Sequence, residues 1–147
     1  MFGDNYMLDV IEASVDVQKS RIPLPKFVNA DAHESVVLLE KTDFIEVWSI
    51  NTLKEKLREL ERLILCAVND DDRARYQFLS DQFTSVAKTV KVSSNWSRIT
   101  VGKKLLDKYQ IVDKVIVEGK GDYIRLWEPN KFDEYKMNIN RGSKGLL

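Results

Sequence analysis

One cysteine and one histidine are all that the 147 residues contain of those two types. Cys66 has no second cysteine to pair with, so a disulfide-built scaffold is excluded and nothing argues for export. His33 stands among acidic residues without a neighbouring cysteine or a second histidine, which argues against a zinc centre. No apolar run approaches the ~18 residues of a membrane span. The opening stretch carries Asp4, Asp9 and Glu12 instead of a basic region and an apolar core, so it does not read as a signal peptide and the chain reads as cytoplasmic. Net charge is also missing: 23 basic residues balance 23 acidic ones. Overall charge therefore points to no polyanion and no membrane surface. There is no Gly-rich phosphate loop, no nucleophile elbow and no metal-ligand cluster, so an enzyme is not expected, nor a cofactor or a small-molecule substrate. The acidic run Asp70-Asp71-Asp72 lacks the spaced ligands and the glycine of a calcium loop and reads as a helix cap.

What the chain does have is a repeat. Asp43-Phe44-Ile45-Glu46-Val47-Trp48 returns as Asp122-Tyr123-Ile124-Arg125-Leu126-Trp127, an offset of 79 from Asp43 to Asp122. Val36-Val37-Leu38 matches Val115-Ile116-Val117 at the same offset, and Lys41 falls on Lys120. Ser20-Arg21-Ile22 matches Ser97-Arg98-Ile99 at an offset of 77, from Ser20 to Ser97. A tandem unit of roughly 45 residues sets the architecture before any single residue does.

Within each unit the periods alternate. Val15 and Val17, then Ile22 and Leu24, alternate with polar residues around a polar turn at 18–20, which predicts two strands. Pro23 and Pro25 confine the second strand to an edge or a short length. A helical turn is expected within 26–34, a buried strand at 36–39, and a strand at 44–50 with Ile45 and Val47 on one face and Phe44, Glu46 and Trp48 on the other. Leu53, Leu57, Leu60, Ile64 and Cys66 then follow helical spacing, with Asn51 or Thr52 as cap and Cys66 on the apolar stripe as a small core residue. A second helix is expected over 73–85. The second unit repeats the plan: Val90 and Val92, Ile99 and Val101, a short helix over 103–109, strands at 114–117 and 123–127, and a helix over 130–137 followed by a frayed tail. The fold class is α+β. The boundaries are 5–51 for the first module, 52–85 for a helical connector, 86–130 for the second module and 131–147 for a last helix and tail.

These stretches resemble the MraZ family, bacterial regulators built from two AbrB-type swapped-hairpin modules. The resemblance rests on Arg21-Ile22-Pro23-Leu24-Pro25, on Arg98-Ile99-Thr100-Val101, and on Asp-aromatic-Ile-x-Val/Leu-Trp in both halves, and it covers about residues 2–137. It implies that the modules interleave their hairpins into a barrel with a pseudo-two-fold axis. It further implies that chains close into a ring, and that the ring binds repeated promoter boxes of the division and cell-wall gene cluster on double-stranded DNA. The family's Asp-x-x-x-Arg turn is altered here. Four residues before Arg21 stands Val17, with Asp16 one place too early, and four before Arg98 stands Ser94. Ser20 and Ser97 occupy the place of a glycine, and Gly102 replaces the proline matched by Pro25. An AbrB-type antitoxin or interaction module with weak or no DNA binding is the other expectation.

The candidate DNA-binding residues are Lys19, Arg21, Lys91, Asn95, Arg98 and Lys103. An arginine fork suits phosphate oxygens or a guanine edge, whereas a surface arginine with a neighbouring carboxylate would only form an ion pair. Charge is locally uneven: over 86–108 six basic residues (Lys88, Lys91, Arg98, Lys103, Lys104, Lys108) face one acid, Asp107. Local positive charge suffices for a polyanion even in a neutral protein; the competing reading is a solvated face. Trp48 and Trp127 are expected in the core or at a subunit interface, and Trp96 lies in the second polar turn.

Overall fold

The computed structural model describes residues 8–24, 35–85, 87–91 and 98–146. Eight strands and four helices form among them. They run β1 (Val10–Ser14), β2 (Arg21–Pro23), β3 (Ser35–Glu40), β4 (Ile45–Ser49), α1 (Ile50–Cys66), α2 (Asp70–Ser85), β5 (Ala87–Lys91), β6 (Arg98–Thr100), α3 (Lys103–Lys108), β7 (Lys114–Gly119), β8 (Tyr123–Trp127) and α4 (Pro129–Leu146). The expected helical turn within 26–34, together with His33, Asn95 and Trp96, lies outside the described residues.

Six strands make one antiparallel sheet in the order β1-β7-β8-β4-β3-β5, and β2 and β6 form a separate two-stranded ribbon. The order is the same read from either end once each strand is replaced by its counterpart in the other repeat. The register obeys the same symmetry. Glu46 faces Arg125, with Ile45 on Leu126 and Val47 on Ile124 to either side. In the ribbon Ile22 faces Ile99, flanked by Arg21 on Thr100 and Pro23 on Arg98. The first strand of each repeat pairs with the hairpin of the other: β1 with β7, and β5 with β3. The six-stranded sheet is open, with β1 and β5 as its edges. The ribbon joins β1 only through the pair Asp16 and Arg21, so the described strands do not close into the expected barrel.

Alternation along the strands feeds two cores. Val36, Leu38, Ile45, Val47, Val115, Val117, Ile124 and Leu126 pack against Ile22 and Ile99 of the ribbon and against Leu105 and Leu106 of α3. On the opposite face Val37, Leu39 and Trp48 pack with Leu53 of α1 and Phe83 of α2. The two hexapeptides lock into each other here. Trp48 stacks on Tyr123 at 4.4 Å between ring centroids, and Trp127 lies 4.8 Å from Phe44. Each tryptophan therefore meets the aromatic residue of the other repeat. Each indole N–H donates to a buried carboxylate, Trp48 to Glu46 and Trp127 to Glu118, both at 3.0 Å. A buried indole needs such a partner. Trp48 and Trp127 are core residues.

Three local expectations are corrected. The cap of α1 is Ser49, whose hydroxyl accepts from the Thr52 N–H, and not Asn51 or Thr52. Strand β4 runs straight into the helix, so the last strand residue is also the cap. Cys66 is exposed. It ends α1 two residues past Ile64, which turns it about 200° away from the packed stripe. The stretch after Met137 does not fray but continues α4 as far as Leu146.

Gly102 joins β6 to α3 at φ 95 and ψ 143. That backbone region is essentially reserved for glycine. A Cβ there would meet nothing within 4 Å, so the strain of a side chain would lie in the backbone alone. Gly102→Ala is expected to lower the unfolding free energy by about 1–3 kcal/mol in a urea titration. An unchanged midpoint would show that the link tolerates another conformation.

Candidate nucleic-acid interface

The ribbon positions the arginines. Ile22 and Ile99 are fully buried, so alternation turns Arg21, Pro23, Arg98 and Thr100 to the opposite face, away from the core. Arg21 lies opposite Thr100 and hence diagonal to Arg98. Diagonal neighbours in such ribbons stand roughly 7–8 Å apart. Thr100 joins the two arginines there, as the alternation Arg98-Ile99-Thr100 requires, and adds a hydroxyl that the charge pattern alone does not signal.

The turn at 17–20 brings in the lysines. The Asp16 carboxylate accepts from the Lys19 backbone N–H at 3.2 Å, and the backbones of Asp16 and Arg21 exchange hydrogen bonds. Ser20 stands at φ 53, the left-handed region that glycine prefers, so serine keeps the turn at a conformational cost. Its carbonyl accepts from Val101 N–H at 2.9 Å and from Gly102 N–H at 3.4 Å. That link ties the turn that carries Lys19 to the start of α3, which carries Lys103. Both lysines are exposed, as is Lys104 next in α3.

Four of the six candidate residues, Lys19, Arg21, Arg98 and Lys103, thus fall on the ribbon and its two flanking links. Lys91 ends β5 opposite Ser35, on the sheet and not on the ribbon. Asn95 is outside the described residues.

No carboxylate among the described residues forms an ion pair with Arg21 or Arg98. Asp16 is the nearest in sequence to Arg21, and its side chain serves the turn backbone instead. Arg98 is exposed. Arg21 is half-buried, and its Nε is buried without a hydrogen-bond partner. Unsatisfied buried donors are rare and call for an explanation. Arg125 offers a contrast within the same chain. Its guanidinium lies 4.5 Å from the Phe44 ring centroid and 3.7 Å from Glu118, although its Nε too lacks a partner. It is occupied inside the protein, whereas the ribbon arginines have no ion-pair partner among the described residues.

Among the described residues no group of three or more His, Cys, Asp or Glu is placed to hold a metal ion. No helix among them is long and apolar enough to cross a membrane. No protein-family model matches the chain, and no curated protein matches it.

Proposed function

We propose that the chain is a sequence-specific, DNA-binding transcriptional regulator of the MraZ type. In this reading the two repeats are AbrB-like swapped-hairpin modules completing a pseudo-two-fold barrel. Copies of the chain assemble into a ring that binds repeated promoter boxes of the division and cell-wall gene cluster, in the cytoplasm and on the nucleoid. The observation that carries it is the pair Arg21 and Arg98, symmetry-related, on the outward face of one two-stranded ribbon and without ion-pair partners among the described residues. A ribbon of that width fits the major groove of B-form DNA. Lys19 and Lys103 flank it for phosphate contact.

The test is a binding titration on double-stranded DNA from the promoter region upstream of the gene. Arg98→Ala is expected to cost about 1–3 kcal/mol per site and to relax specificity if the side chain forks onto a guanine. If it meets phosphate alone, binding weakens evenly across sequences and the salt slope falls by about one unit. Repetition around a ring multiplies either loss. Equal affinity and equal salt slope for wild type and the Arg21→Ala, Arg98→Ala double variant would remove these residues from the interface.

One observation favours a second reading. The Asp16 carboxylate is spent on the turn backbone, so it does not hold the Arg21 fork in place. A module of the same architecture that binds a protein, such as an AbrB-type antitoxin, would show no promoter-specific titration and would have a toxin gene beside it.

A further inference from the structure

The two edges of the sheet are equivalent by the internal repeat but opposite in charge. Residues 8–14, which include β1, carry Asp9 and Glu12 and no base. Strand β5 carries Lys88 and Lys91 and no acid. Among the described residues neither strand has a sheet neighbour on its outer side along this length.

The hydrogen-bond phase of β1 is set at its two ends. Gly119 N–H donates to the Asp9 carbonyl, and Val15 N–H donates to the Asp113 carbonyl, both at 2.9 Å. Residues 9, 11, 13 and 15 therefore bond toward β7, and Val10, Glu12 and Ser14 direct their backbone N–H and C=O groups outward. Asp16, next in that outward phase, already uses its backbone on Arg21. The outward groups of Val10, Glu12 and Ser14 are thus placed to receive a strand. Proteins commonly guard such an edge with lysines. β5 has them. β1 instead exposes apolar side chains, Val10 at 50% and Ile11 at 43%, with Leu8 just before it at 75%.

We infer that the β1 edge receives the β5 edge of a second copy of this chain, so that the sheet continues from subunit to subunit. Charge selects this pairing over the two symmetric ones. β1 on β1 would bring Glu12 against Glu12, and β5 on β5 would gather lysines, and like charges across a strand pair destabilise it. β1 on β5 sets acids against bases on both partners. The contact uses two different surfaces, so repetition closes it into a ring or extends it into a filament. The inference rests on the ring reading and supplies its joint.

The experiment measures the mass of the full chain by light scattering, without DNA, at low and high salt. One variant reverses the acidic edge (Asp9→Lys, Glu12→Lys) and another the basic edge (Lys88→Glu, Lys91→Glu). Each alone is expected to fall to the 17.0 kDa monomer. Mixed one to one, they carry complementary edges at every contact, and the assembly is expected to return. Glu12→Pro removes an outward N–H and leaves the β7 ladder intact, and it too is expected to give monomer. If a double reversal fails to fold by circular dichroism, Glu12→Lys and Lys88→Glu singly decide, read as at least a tenfold loss of self-association. A wild-type monomer would overturn both this inference and the ring. A wild-type oligomer whose mass ignores every edge variant, or a mixture that stays monomeric, would overturn the joint and leave the ring reading standing.

Discussion

A chain ending at Asp70 is expected to be unfolded as a monomer. It keeps β1 to β4 and α1, but of the sheet only the β3–β4 hairpin stays paired as before. β1 loses β7, β2 loses β6, β3 loses β5 and β4 loses β8. Ile22, Val36, Leu38, Ile45 and Val47, all at 1% exposure or less, lose much of their cover. Trp48 loses both Tyr123 and Phe83. A two-stranded hairpin is marginal in water, so what remains has too little core to fold alone. The symmetric register would let two such halves rebuild the sheet as a homodimer, except at its centre. Glu46, which faces Arg125 in the whole chain, would face a second Glu46. Two buried like charges oppose that dimer. Circular dichroism and sedimentation of 1–70, alone and mixed with 71–147, would measure this. The first half alone should lack a cooperative melt, and the mixture should recover one. A well-folded monomer of 1–70 would show that pairing between the repeats does not hold the fold.

Glu118→Ala is expected to remove about 3–5 kcal/mol, the cost of breaking a buried charge pair from one side. The carboxylate is 7% exposed. It accepts from Trp127 Nε1 at 3.0 Å and lies 3.4 Å from Lys120 Nζ and 3.7 Å from Arg125 Nη1. Alanine would leave the indole N–H without its acceptor and Arg125, 19% exposed in its side chain, without its counter-charge. Glutamine keeps an acceptor for the indole and loses only the charge, so Glu118→Gln should fall between. Glu46→Gln should cost less still, about 1 kcal/mol, because Glu46 serves Trp48 alone among the described hydrogen bonds and ion pairs. Urea unfolding of the three variants gives the order. Domains of this size are stable by about 5–15 kcal/mol, so the alanine variant should be visibly crippled. A Glu118→Ala protein within about 1 kcal/mol of wild type would show that the cluster relaxes to water.

The repeat and most of its strands are legible because alternation marks them, but the strand expected around Val15 and Val17 lies earlier, at Val10–Ser14, and Val17 falls in the turn. Ile45 and Val47 went to one face and Glu46 and Trp48 to the other, as their spacing requires. Alternation says which side chains share a face, but it does not say which strand lies alongside. The exchange of β1 and β5 between repeats therefore had no sequence signal of its own. A helix end is hard to read from sequence where two elements share a residue: Ser49 closes a strand and caps a helix at once. Cys66 lies off the packed stripe because the apolar run continues past Leu60, the last buried residue of α1. At the candidate site, the positions of Arg21 and Arg98 followed from the repeat. That neither forms an ion pair among the described residues did not, since the spacing of Asp16 could not reveal that its side chain turns to the Lys19 backbone.

The pairing of β1 with β7 also governs how the chain reaches its fold. Val10 meets Glu118, and Ser14 meets Lys114, at separations of 108 and 100 residues in a chain of 147. The local pieces, the α1–α2 hairpin and the β3–β4 and β7–β8 hairpins, involve short loops and are expected to form first. β1 must wait until both repeats have been made and brought together. Contacts of such sequence separation slow folding. Until β1 arrives, the edge of β7 stands open with Val115 and Val117 uncovered on that side, and during synthesis it is free to take the β1 of another nascent chain. The same geometry that knits one molecule thus exposes a crowded polysome to exchange between molecules.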